Sequence, residues 1–313
     1  MRVLLTGYPG FLAEEIYHYF LQKGATVDTL GLQECAIAPA GSRKHYVCNL
    51  AEETPVLDEK YDIVIHAAGK AHVVPRTQKE ADAFFDVNLT GTAHLLDAIS
   101  IMPPSSIVFI SSVAVYGKEC GVQINEEAPL AAEDPYGKSK IEAEKLIREY
   151  EFSQNVVRGI VRLPLIAGPN APGNLGSMFR AMKKGFFFNV GKGYTSRSVI
   201  LRSDVPFALE LVATHGGTYN ITDCRDLTFA ELVSGIHKLE KCPIRPNLPR
   251  WVAFCLALAG EVAQKILHRS MPFNMKRYHQ MTESLTFDGS LAVKELGFKP
   301  HPVLDHLAEL ISE

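Results

Sequence analysis

The chain has 313 residues, of which 47% are hydrophobic and 21% are charged, and its formal charge is −3. This length predicts two domains, or one large α/β domain with an additional lobe, and the composition excludes a disordered or collagen-like chain. Because the chain is nearly neutral and has no basic tract, its charge gives no reason to expect nucleic acid as a partner.

Short β-branched segments alternate with longer helical patterns in the first half of the chain. We predict strands at residues 3–5, 26–30, 45–48, 62–67, 106–111 and 156–161, and helices at residues 12–23, 81–100 and 138–151. Apolar side chains of the first helix recur at helical spacing. Strands that alternate with helices require crossover connections, so the sequence predicts an α/β fold with a Rossmann-type, doubly wound parallel sheet.

The sequence changes character after Pro164, where prolines and glycines become frequent up to Gly176. Residues 198–201 and 219–221 are predicted to return to the sheet, and most of the remainder is predicted to be helical. We therefore predict a dinucleotide-binding domain of residues 1–165 and 194–225, and a smaller, mainly helical substrate-binding lobe of residues 166–193 and 226–313. Such a lobe, lying above the carboxyl ends of the strands, closes a cleft.

Two apolar stretches are candidates for a signal peptide or a membrane-spanning segment. The first covers only residues 3–5, which is too short for the core of a signal peptide. The second covers residues 251–260 and stops at Glu261, short of the roughly 20 residues that a membrane span needs. We interpret it as a buried amphipathic helix, with contact to a membrane surface as the alternative, and predict no transmembrane segment.

Six cysteines lie far apart in the sequence, and none forms a CxxC pair. This pattern is typical of reduced thiols in a cytoplasmic protein rather than of a disulfide framework or a zinc site, so no metal is expected. The six are Cys35, Cys48, Cys120, Cys224, Cys242 and Cys255.

The first motif that carries chemistry is TGYPGFLA at residues 6–13, which follows a predicted strand and opens a predicted helix. This context is the one that a dinucleotide fingerprint requires. Gly7 permits the tight turn, Gly10 lets the backbone approach a pyrophosphate, and the small Ala13 lets the helix pack on the strand. The helix N-terminus then offers free N–H groups to the phosphates.

The identity of the dinucleotide is less clear from the sequence. An acidic residue that binds the adenosine ribose is expected about 20 residues after the glycine loop. Asp28 comes too early for this role and Glu34 comes late, while Arg43 and Lys44 are equally consistent with a 2′-phosphate and with ordinary surface charge. The choice between NAD and NADP stays open, with NAD favoured.

The second motif is YxxxK, formed by Tyr136 and Lys140 on a predicted helix. Residues four apart share one helix face, and a nearby ammonium is expected to lower the pKa of the phenol so that it can exchange a proton with a sugar hydroxyl. Ser112 stands at the end of a predicted strand, 24 residues before Tyr136. A hydroxyl, a phenol and an ammonium are thereby predicted to meet.

Together these segments resemble the extended short-chain dehydrogenases/reductases of the NAD-dependent epimerase/dehydratase family, which act on nucleotide sugars. The resemblance rests on TGYPGFLA, on residues 66–69 (HAAG), 87–92 (VNLTGT), 111–117 (SSVAVYG), 136–140 (YGKSK) and 162–164 (RLP), and on Gly168-Pro169. These segments occur in the family's order over most of residues 1–225.

The resemblance implies a catalytic triad of Ser112, Tyr136 and Lys140. It also implies contacts to the cofactor from a larger group along the carboxyl edge of the sheet, in which Asn49 replaces an acid that many relatives carry. This group consists of Gly7, Tyr8, Gly10, Phe11, Leu12, Asn49, Leu50, Ala67, Ala68, Gly69, Asn88, Ser111, Tyr136, Lys140 and Pro164.

On the substrate side, the resemblance implies contacts from Ser112, Asn174 and Arg197. Lys70 and His72 follow the predicted strand that ends at Ala67, so we expect them above the nicotinamide, where they are candidates for contact with the sugar. Arg197 can bind a phosphate through two parallel N–H groups. Members of the family that dehydrate the sugar tend to carry Asp-Glu directly after the catalytic hydroxyl, whereas Val113 and Ala114 stand there in this chain. Dehydration is therefore disfavoured.

Three functions remain consistent with the sequence. The leading hypothesis is 4-epimerisation of a UDP-hexose through a 4-keto intermediate, with a nucleoside-diphosphate sugar as the partner. The alternative is an NAD(P)H-dependent reductase of a nucleotide-linked 4-keto-6-deoxy sugar. A non-catalytic regulator that senses dinucleotides is a third hypothesis, disfavoured because Ser112, Tyr136 and Lys140 are all present. Pairing of the family's members through two helices suggests a homodimer by analogy.

Overall fold

The computed structural model describes residues 1–34, 44–71, 73–184, 186–240, 246–267, 271 and 273–308. Its centre is a seven-stranded parallel sheet, which confirms the predicted fold class. The strands of this sheet, in chain order, are β1 (Arg2–Thr6), β2 (Thr26–Gly31), β3 (His45–Val47), β4 (Ile63–His66), β5 (Ser106–Ser112), β7 (Val157–Leu163) and β11 (Gly217–Asn220).

Shorter strands lie outside the main sheet. They are β6 (Gly121–Ile124), β8 (Leu165–Ala167), β9 (Ser196–Arg197), β10 (Val199–Leu201), β12 (Leu227–Thr228) and β13 (Leu285–Phe287). The helices are α1 (Phe11–Gln22), α2 (Gln78–Phe85), α3 (Gly91–Ser100), α4 (Pro135–Glu149), α5 (Gly173–Lys183), α6 (Val205–His215), α7 (Phe229–Glu240), α8 (Arg250–Leu267), α9 (Met275–Thr282) and α10 (Ser290–Leu296).

The main sheet is buried on both faces, as a parallel sheet must be when helices cover it. Along β1, Val3 and Leu5 face a cluster built with α1, α6 and α10, whereas Leu4 faces a cluster built with α3 and α4. All three side chains are fully buried. The strands therefore carry nearly continuous apolar runs, which is why the sequence identified them.

The order of the strands, β11-β7-β5-β4-β1-β2-β3, reverses direction between β1 and β4. The chain first moves outward from β1 to β3 and then returns to add β4, β5 and β7 on the other side. Ligands of doubly wound sheets bind at such a switch point, outside the carboxyl ends of the strands. The glycine loop that follows β1 and the HAAG segment at the end of β4 both lie there.

Two predictions about the helices and strands of the chain need correction. The helix predicted at residues 81–100 is interrupted by a π-helical turn, Asp86–Thr90, between α2 and α3. The strand predicted at residues 198–201 does not join the main sheet, because β10 pairs with β8 in a separate two-stranded sheet. The strand predicted at residues 219–221 does return, since β11 pairs with β7 at the edge of the main sheet.

A small four-stranded sheet in the order β12-β9-β13-β6 was not predicted from the sequence. Its strands have two to four residues, which is too short for an alternating pattern to stand out. A third cluster of buried side chains, including Leu175, Phe179 and Leu232, lies around β8, β10, α5 and α7. This separate core supports the predicted division into a dinucleotide domain and a substrate lobe, which stays a prediction.

The apolar stretch at residues 251–260 forms the first part of α8, but the helix is not buried as predicted. Trp251 is 73% exposed and Leu258 is 49% exposed. Within the described residues, no helix is both long enough and apolar enough to cross a membrane. Cys48, Cys120, Cys224 and Cys255 are free thiols, while Cys35 and Cys242 lie outside the described residues.

Candidate active site

The glycine loop joins β1 to α1 and lies against the residues that follow β4. Gly7 has a φ of +85°, and a Cβ atom added to it would lie 2.7 Å from the backbone nitrogen of Ala68. A Cβ atom on Gly10 would lie 2.7 Å from the carbonyl oxygen of Gly7. Both positions therefore require glycine.

This loop leaves the start of α1 open to a ligand. Gly10 is the N-cap residue, and within the described chain no side chain caps the helix there. The first N–H groups of a helix have no partner inside the helix, and the helix dipole favours an anion beside them. The shape of the loop and the uncapped helix start together fit the pyrophosphate of a dinucleotide.

The other side chains that the resemblance assigns to the cofactor lie near this edge of the sheet. Tyr8 packs against Tyr17 with ring centroids 5.3 Å apart, and Phe11 lies beneath the guanidinium of Arg202. Asn49 accepts a hydrogen bond from the backbone of Ala51, so its amide shapes the turn after β3. Leu12, Ala67 and Pro164 are partly buried, and Leu50 is buried.

A chain of hydrogen bonds fixes the geometry behind the glycine loop. Thr92 Oγ1 donates to the carbonyl of Asn88, so His66 Nε2 must be the donor to Thr92 (3.0 Å). His66 Nδ1 then accepts from Thr6 Oγ1 (2.8 Å), which itself accepts from the backbone of Ala68. Burial, together with the charge of Lys140, lowers the pKa of His66 to about 3. His66 is a neutral structural residue that links β1, β4 and α3.

Ser112 and Tyr136 meet where β5 ends and α4 begins. The Ser112 hydroxyl lies close enough to the phenol of Tyr136 to favour its ionised form, and it accepts a hydrogen bond from the backbone of Ala114 (3.2 Å). Gly137 permits this approach, because a Cβ atom there would lie 2.4 Å from the Ala132 side chain and 3.0 Å from the carbonyl of Ala114. The structure therefore brings two of the three predicted catalytic groups into contact.

The expected lowering of the pKa of Tyr136 is not found in this structure. Burial raises the pKa of the phenol, and the nearby hydroxyl of Ser112 opposes this only in part. The ring also packs edge-on against Phe84 with centroids 6.1 Å apart. The expectation underestimated desolvation, which disfavours the charged phenolate.

Lys140, the third predicted catalytic residue, is 5% exposed. Its ammonium donates to the carbonyl of Ile110 (2.9 Å) and lies over the ring of Phe109, 4.5 Å from the centroid. A Cβ atom on Gly69 would lie 3.2 Å from Lys140 Nζ, so the ammonium reaches the loop that follows β4. Burial lowers the pKa of Lys140 to about 8, although Glu144 opposes the shift.

Asn88 ties this loop to α4. It is 1% exposed and stands in the π-helical turn 86–90, an irregularity that is common at functional sites. Its Oδ1 accepts from the backbone of Lys70 (2.7 Å), while its Nδ2 donates to the carbonyl of Lys70 (3.2 Å) and to Ser139 Oγ (2.9 Å). Asn88 therefore supports the site by holding the backbone at Lys70.

A buried network beneath Ser111 and Ser112 was not predicted from the sequence. Glu144 on α4 and Arg162 on β7 form a two-bonded ion pair, with Nε–Oε1 at 3.0 Å and Nη2–Oε2 at 2.7 Å. Ser111 donates to Glu144 (2.6 Å), and Arg162 donates to the hydroxyl of Tyr116 (2.9 Å). The signal was present, because Glu144 follows Lys140 by four residues and shares its helix face.

The predicted substrate residues are less closely assembled. Lys70 lies beside the site, with its ammonium 5.8 Å from the centroid of the Phe84 ring. Arg197 donates from Nη1 to the carbonyl of Glu283 (2.7 Å) and from Nη2 to that of Gln280 (2.5 Å). Burial lowers the pKa of Arg197 to about 10. His72 and the side chain of Asn174 lie outside the described residues, so their roles, like that of Arg197, stay predictions.

The residues considered for the adenosine ribose are engaged elsewhere. Asp28 is buried and accepts from the backbone of Lys44 (3.1 Å) and from Tyr61 (3.1 Å). The ammonium of Lys44 is paired with Asp58 (2.5 Å) and Glu59 (3.4 Å). These carboxylates are unfavourable neighbours for a 2′-phosphate, whereas NAD carries none there. Arg43 lies outside the described residues.

Within the described part of the chain, no group of three or more His, Cys, Asp or Glu side chains is placed to hold a metal ion.

The model of the NAD dependent epimerase/dehydratase family matches residues 3–222. The chain is 28% identical over 214 residues to the N-acetyl-alpha-D-glucosaminyl-diphospho-ditrans,octacis-undecaprenol 4-epimerase of Escherichia coli O157:H7, a match that covers 66% of this chain and 64% of the relative, slightly less than two thirds of its length. It is 25% identical to the UDP-glucose 4-epimerase of Vibrio cholerae, with 96% of this chain and 92% of the relative covered.

Solved structures of similar fold include the UDP-glucose 4-epimerase of Thermotoga maritima with UDP-glucose, at a TM-score of 0.73 and 19% identity over 99% of this chain and 97% of that one. The UDP-glucuronic acid 4-epimerase of Bacillus cereus, in complex with UDP-glucuronic acid and NAD, also gives a TM-score of 0.73, at 19% identity over 99% and 98% of the two chains. At this identity the likeness establishes the fold.

Proposed function

Because the chain belongs to the NAD-dependent epimerase/dehydratase family, we propose that it catalyses the NAD-dependent 4-epimerisation of a nucleoside-diphosphate sugar, with a UDP-linked hexose as substrate. The observation that carries this proposal is that the hydroxyls of Ser112 and Tyr136 meet at the carboxyl edge of the sheet. The buried Lys140 stands one helical turn from Tyr136 on the same face of α4. The curated relatives described above are themselves 4-epimerases.

In this mechanism, the glycine loop with Gly7 and Gly10 would hold NAD, which would supply the acceptor and then the donor of a hydride at one sugar carbon. Tyr136 removes the proton from the hydroxyl on that carbon and gives it back after the 4-keto sugar has turned in the cleft. Ser112 donates a hydrogen bond to the reacting oxygen, where negative charge develops. Burial raises the pKa of Tyr136, so the phenolate needs stabilisation during the reaction, and we propose that the ammonium of Lys140 supplies it.

Val113 and Ala114 disfavour elimination of water from the sugar. They follow Ser112 in a short 3-10 helix, Val113–Tyr116, and neither side chain can donate or accept a proton. Elimination of water from the sugar needs an acid and a base at the leaving hydroxyl. The proposal is therefore limited to hydride and proton transfer at a carbon that already carries oxygen.

The test is an assay of the purified protein against a panel of diphosphate-linked sugars. The panel contains UDP-glucose, UDP-N-acetylglucosamine, UDP-glucuronic acid and polyprenyl-diphospho-N-acetylglucosamine, each without added cofactor, and the bound nucleotide is identified by mass spectrometry. A 4-epimerase retains NAD and interconverts two epimers to equilibrium. Consumption of added NADH or NADPH in proportion to product supports the 4-keto-sugar reductase instead, and tight binding of NAD without turnover of any sugar supports the regulator.

Tyr136→Phe tests the catalytic role of the phenol in this assay, and Tyr194→Phe is its matched control. The variant keeps the ring that packs on Phe84 but lacks the hydroxyl that moves the proton, so we expect kcat to fall at least a thousandfold while NAD binding is retained. Tyr194→Phe removes the hydroxyl of a tyrosine that is 71% exposed, and its activity should be unchanged. Activity of Tyr136→Phe close to that of the unmodified protein contradicts the mechanism.

A further inference from the structure

Helix α8 carries its large apolar side chains on the outside and its small ones on the inside. Ala253 and Ala257 are fully buried and Gly260 is buried, whereas Trp251 is 73% and Ile266 is 70% exposed. At Gly260 the helix lies so close to the turn before α9 that a Cβ atom would stand 2.0 Å from the carbonyl oxygen of Phe273. A helix whose outer side contacts only water carries its large apolar side chains towards the protein and polar ones outside.

Five of the seven exposed large apolar side chains of α8 form a continuous stripe, which we call the α8 face. Its members follow one another at spacings of three or four residues, so they project from one side of the helix over about 22 Å. The α8 face consists of Trp251, Phe254, Leu258, Val262 and Ile266. Contiguous apolar surface of this kind marks an interaction site.

The charge around the α8 face shows which kind of surface complements it. Residues 250–282 contain five basic side chains and a single acidic one, Glu261, although the whole chain has a formal charge of −3. Four of the five are described by the structure and are exposed. The five are Arg250, Lys265, Arg269, Lys276 and Arg277.

We propose that the α8 face docks on the surface of a membrane that contains anionic lipids. A helix with Trp, Phe and Leu on one side and basic residues beside them lies in the plane of such a surface, where the apolar side chains enter the headgroup boundary and the cations meet the lipid phosphates. The helix lies on the membrane and does not span it.

A second copy of the chain is a poorer occupant. A twofold interface would place the same face against itself and bring the two basic segments together. Like charges brought together in this way oppose association. An anionic lipid surface offers acyl chains to the apolar side chains and negatively charged headgroups to the basic ones.

Flotation with lipid vesicles tests the proposal without any substrate, so its outcome is independent of the proposed activity. The full chain is mixed with vesicles of phosphatidylcholine alone or of phosphatidylcholine with phosphatidylglycerol, and the bound fraction is measured. We expect binding to the mixed vesicles, weaker binding to phosphatidylcholine alone, and weakening as salt is added. Absence of the protein from the floated mixed vesicles overturns the proposal.

Two variants with matched controls locate the contact. Leu258→Glu places a charge in the centre of the α8 face and should reduce the partition coefficient at least tenfold, whereas Ile101→Glu, at an isolated aliphatic residue that is 79% exposed, should leave it unchanged. Lys265→Glu should weaken binding to the mixed vesicles several-fold, and Lys294→Glu on α10 should not. Equal losses in variant and control contradict a docking site on α8.

Size-exclusion chromatography with light scattering completes the test. We expect Leu258→Glu to have the same mass in solution as the unmodified protein and the same thermal shift with NAD, which shows that it is folded. A dimer that Leu258→Glu dissociates would show that a second copy covers the α8 face, and the membrane proposal would then be wrong.

Discussion

Lys140 carries a positive charge at a position where water is nearly excluded. Among the described residues, its ammonium has one hydrogen bond, to the carbonyl of Ile110, and one ring contact, with Phe109. These contacts do not replace the lost hydration, because burial still lowers the pKa of the ammonium to about 8 from an ordinary value of 10.5. The site therefore holds a destabilising group, as expected where function rather than stability selects a residue.

Replacing Lys140 with Met should stabilise the fold at neutral pH. The unfolded chain keeps its lysine protonated up to pH 10.5, while the folded chain releases the proton near pH 8, so stability of the unmodified protein rises with pH between these values. A shift of this size corresponds to about 3 kcal/mol at pH 7. We expect Lys140→Met to be more stable by up to that amount at pH 7, with the advantage shrinking by roughly 2 kcal/mol at pH 10.

Urea unfolding of both proteins at pH 7 and pH 10 measures this difference. Titration of the other tyrosines and cysteines affects both proteins equally and cancels in the comparison. Activity should be lost at both pH values, because the ammonium that we propose to stabilise the Tyr136 phenolate is gone. If the difference in unfolding free energy between the two proteins does not change with pH, the pKa of Lys140 is not lowered in the folded chain.

The sequence identified the residues of the site whose spacing is distinctive, and it missed those whose role depends on folding. Ser112, Tyr136 and Lys140 stand in short motifs, and the structure brings the hydroxyls of the first two together. Glu144 and Arg162 are 18 residues apart and meet only because α4 packs against β7. The pKa of Tyr136 was misjudged for the same reason, since burial is a property of the fold.

At the scale of elements, α4 is the part that connects the catalytic groups to the sheet. Its N-cap, Asp134, accepts from the backbone of Gly137 (3.0 Å) and fixes the turn before Tyr136. Further along the helix, Glu144 is bonded to Arg162 on β7 and to Ser111 on β5. Although burial by itself raises the pKa of Glu144, these two partners hold it below the usual value.

Removing only the Glu144 partner of the ion pair with Arg162 should destabilise the fold. Glu144→Met leaves Arg162 buried without its carboxylate, and we expect a loss of about 3–5 kcal/mol in the free energy of unfolding. Glu144→Met with Arg162→Met removes both charges and should recover a large part of that loss. Glu142→Met, on the exposed side of the same helix, is the control and should change stability by less than about 0.5 kcal/mol.

Chemical denaturation of the unmodified protein, Glu144→Met, Arg162→Met and the double variant yields the coupling energy between Glu144 and Arg162. If the double variant is as unstable as the sum of the two single variants, the pair does not act as a unit. Because Ser111 also loses its acceptor in Glu144→Met, kcat should fall in this variant even at temperatures where the protein is fully folded.

The elements that the sequence failed to place are those without a long periodic pattern. The π-helical turn 86–90 has the composition of an ordinary helix and is set by the packing of Asn88 against α4 and the Lys70 backbone. The strands of the small sheet have at most four residues. By contrast, β1, β4 and β5 are buried on both faces, which imposes the continuous apolar runs that the sequence displays.

At the scale of the whole molecule, the direction change of the sheet between β1 and β4 gathers the glycine loop, the HAAG segment and the Ser112–Tyr136 pair at one edge. The sequence predicted this gathering because each motif follows a strand, and parallel strands end at the same edge. It did not predict the outward apolar side chains of α8, since an amphipathic pattern shows that a helix has two sides but not which side faces the protein.

Binding of the cofactor at this edge should stabilise the whole fold. NAD that binds only the folded chain raises its stability by about 2.7 kcal/mol at roughly 100 times the dissociation constant, which differential scanning fluorimetry detects as a rise in Tm. Gly7→Ala should abolish this rise, because its Cβ would meet the Ala68 backbone at 2.7 Å and the loop would have to move away from the ligand.

Gly24→Ala separates this effect from backbone strain. Gly24 has a φ of +75°, close to the +85° of Gly7, but nothing lies within 4 Å of the Cβ that alanine would add. Both variants therefore lose stability from the left-handed backbone, and only Gly7→Ala should also lose the rise in Tm with NAD. If Gly7→Ala responds to NAD as strongly as Gly24→Ala does, the pyrophosphate does not bind at this loop. The placement of the cofactor beside Tyr136 would then be wrong as well, because the loop and the catalytic pair share one edge of one rigid sheet.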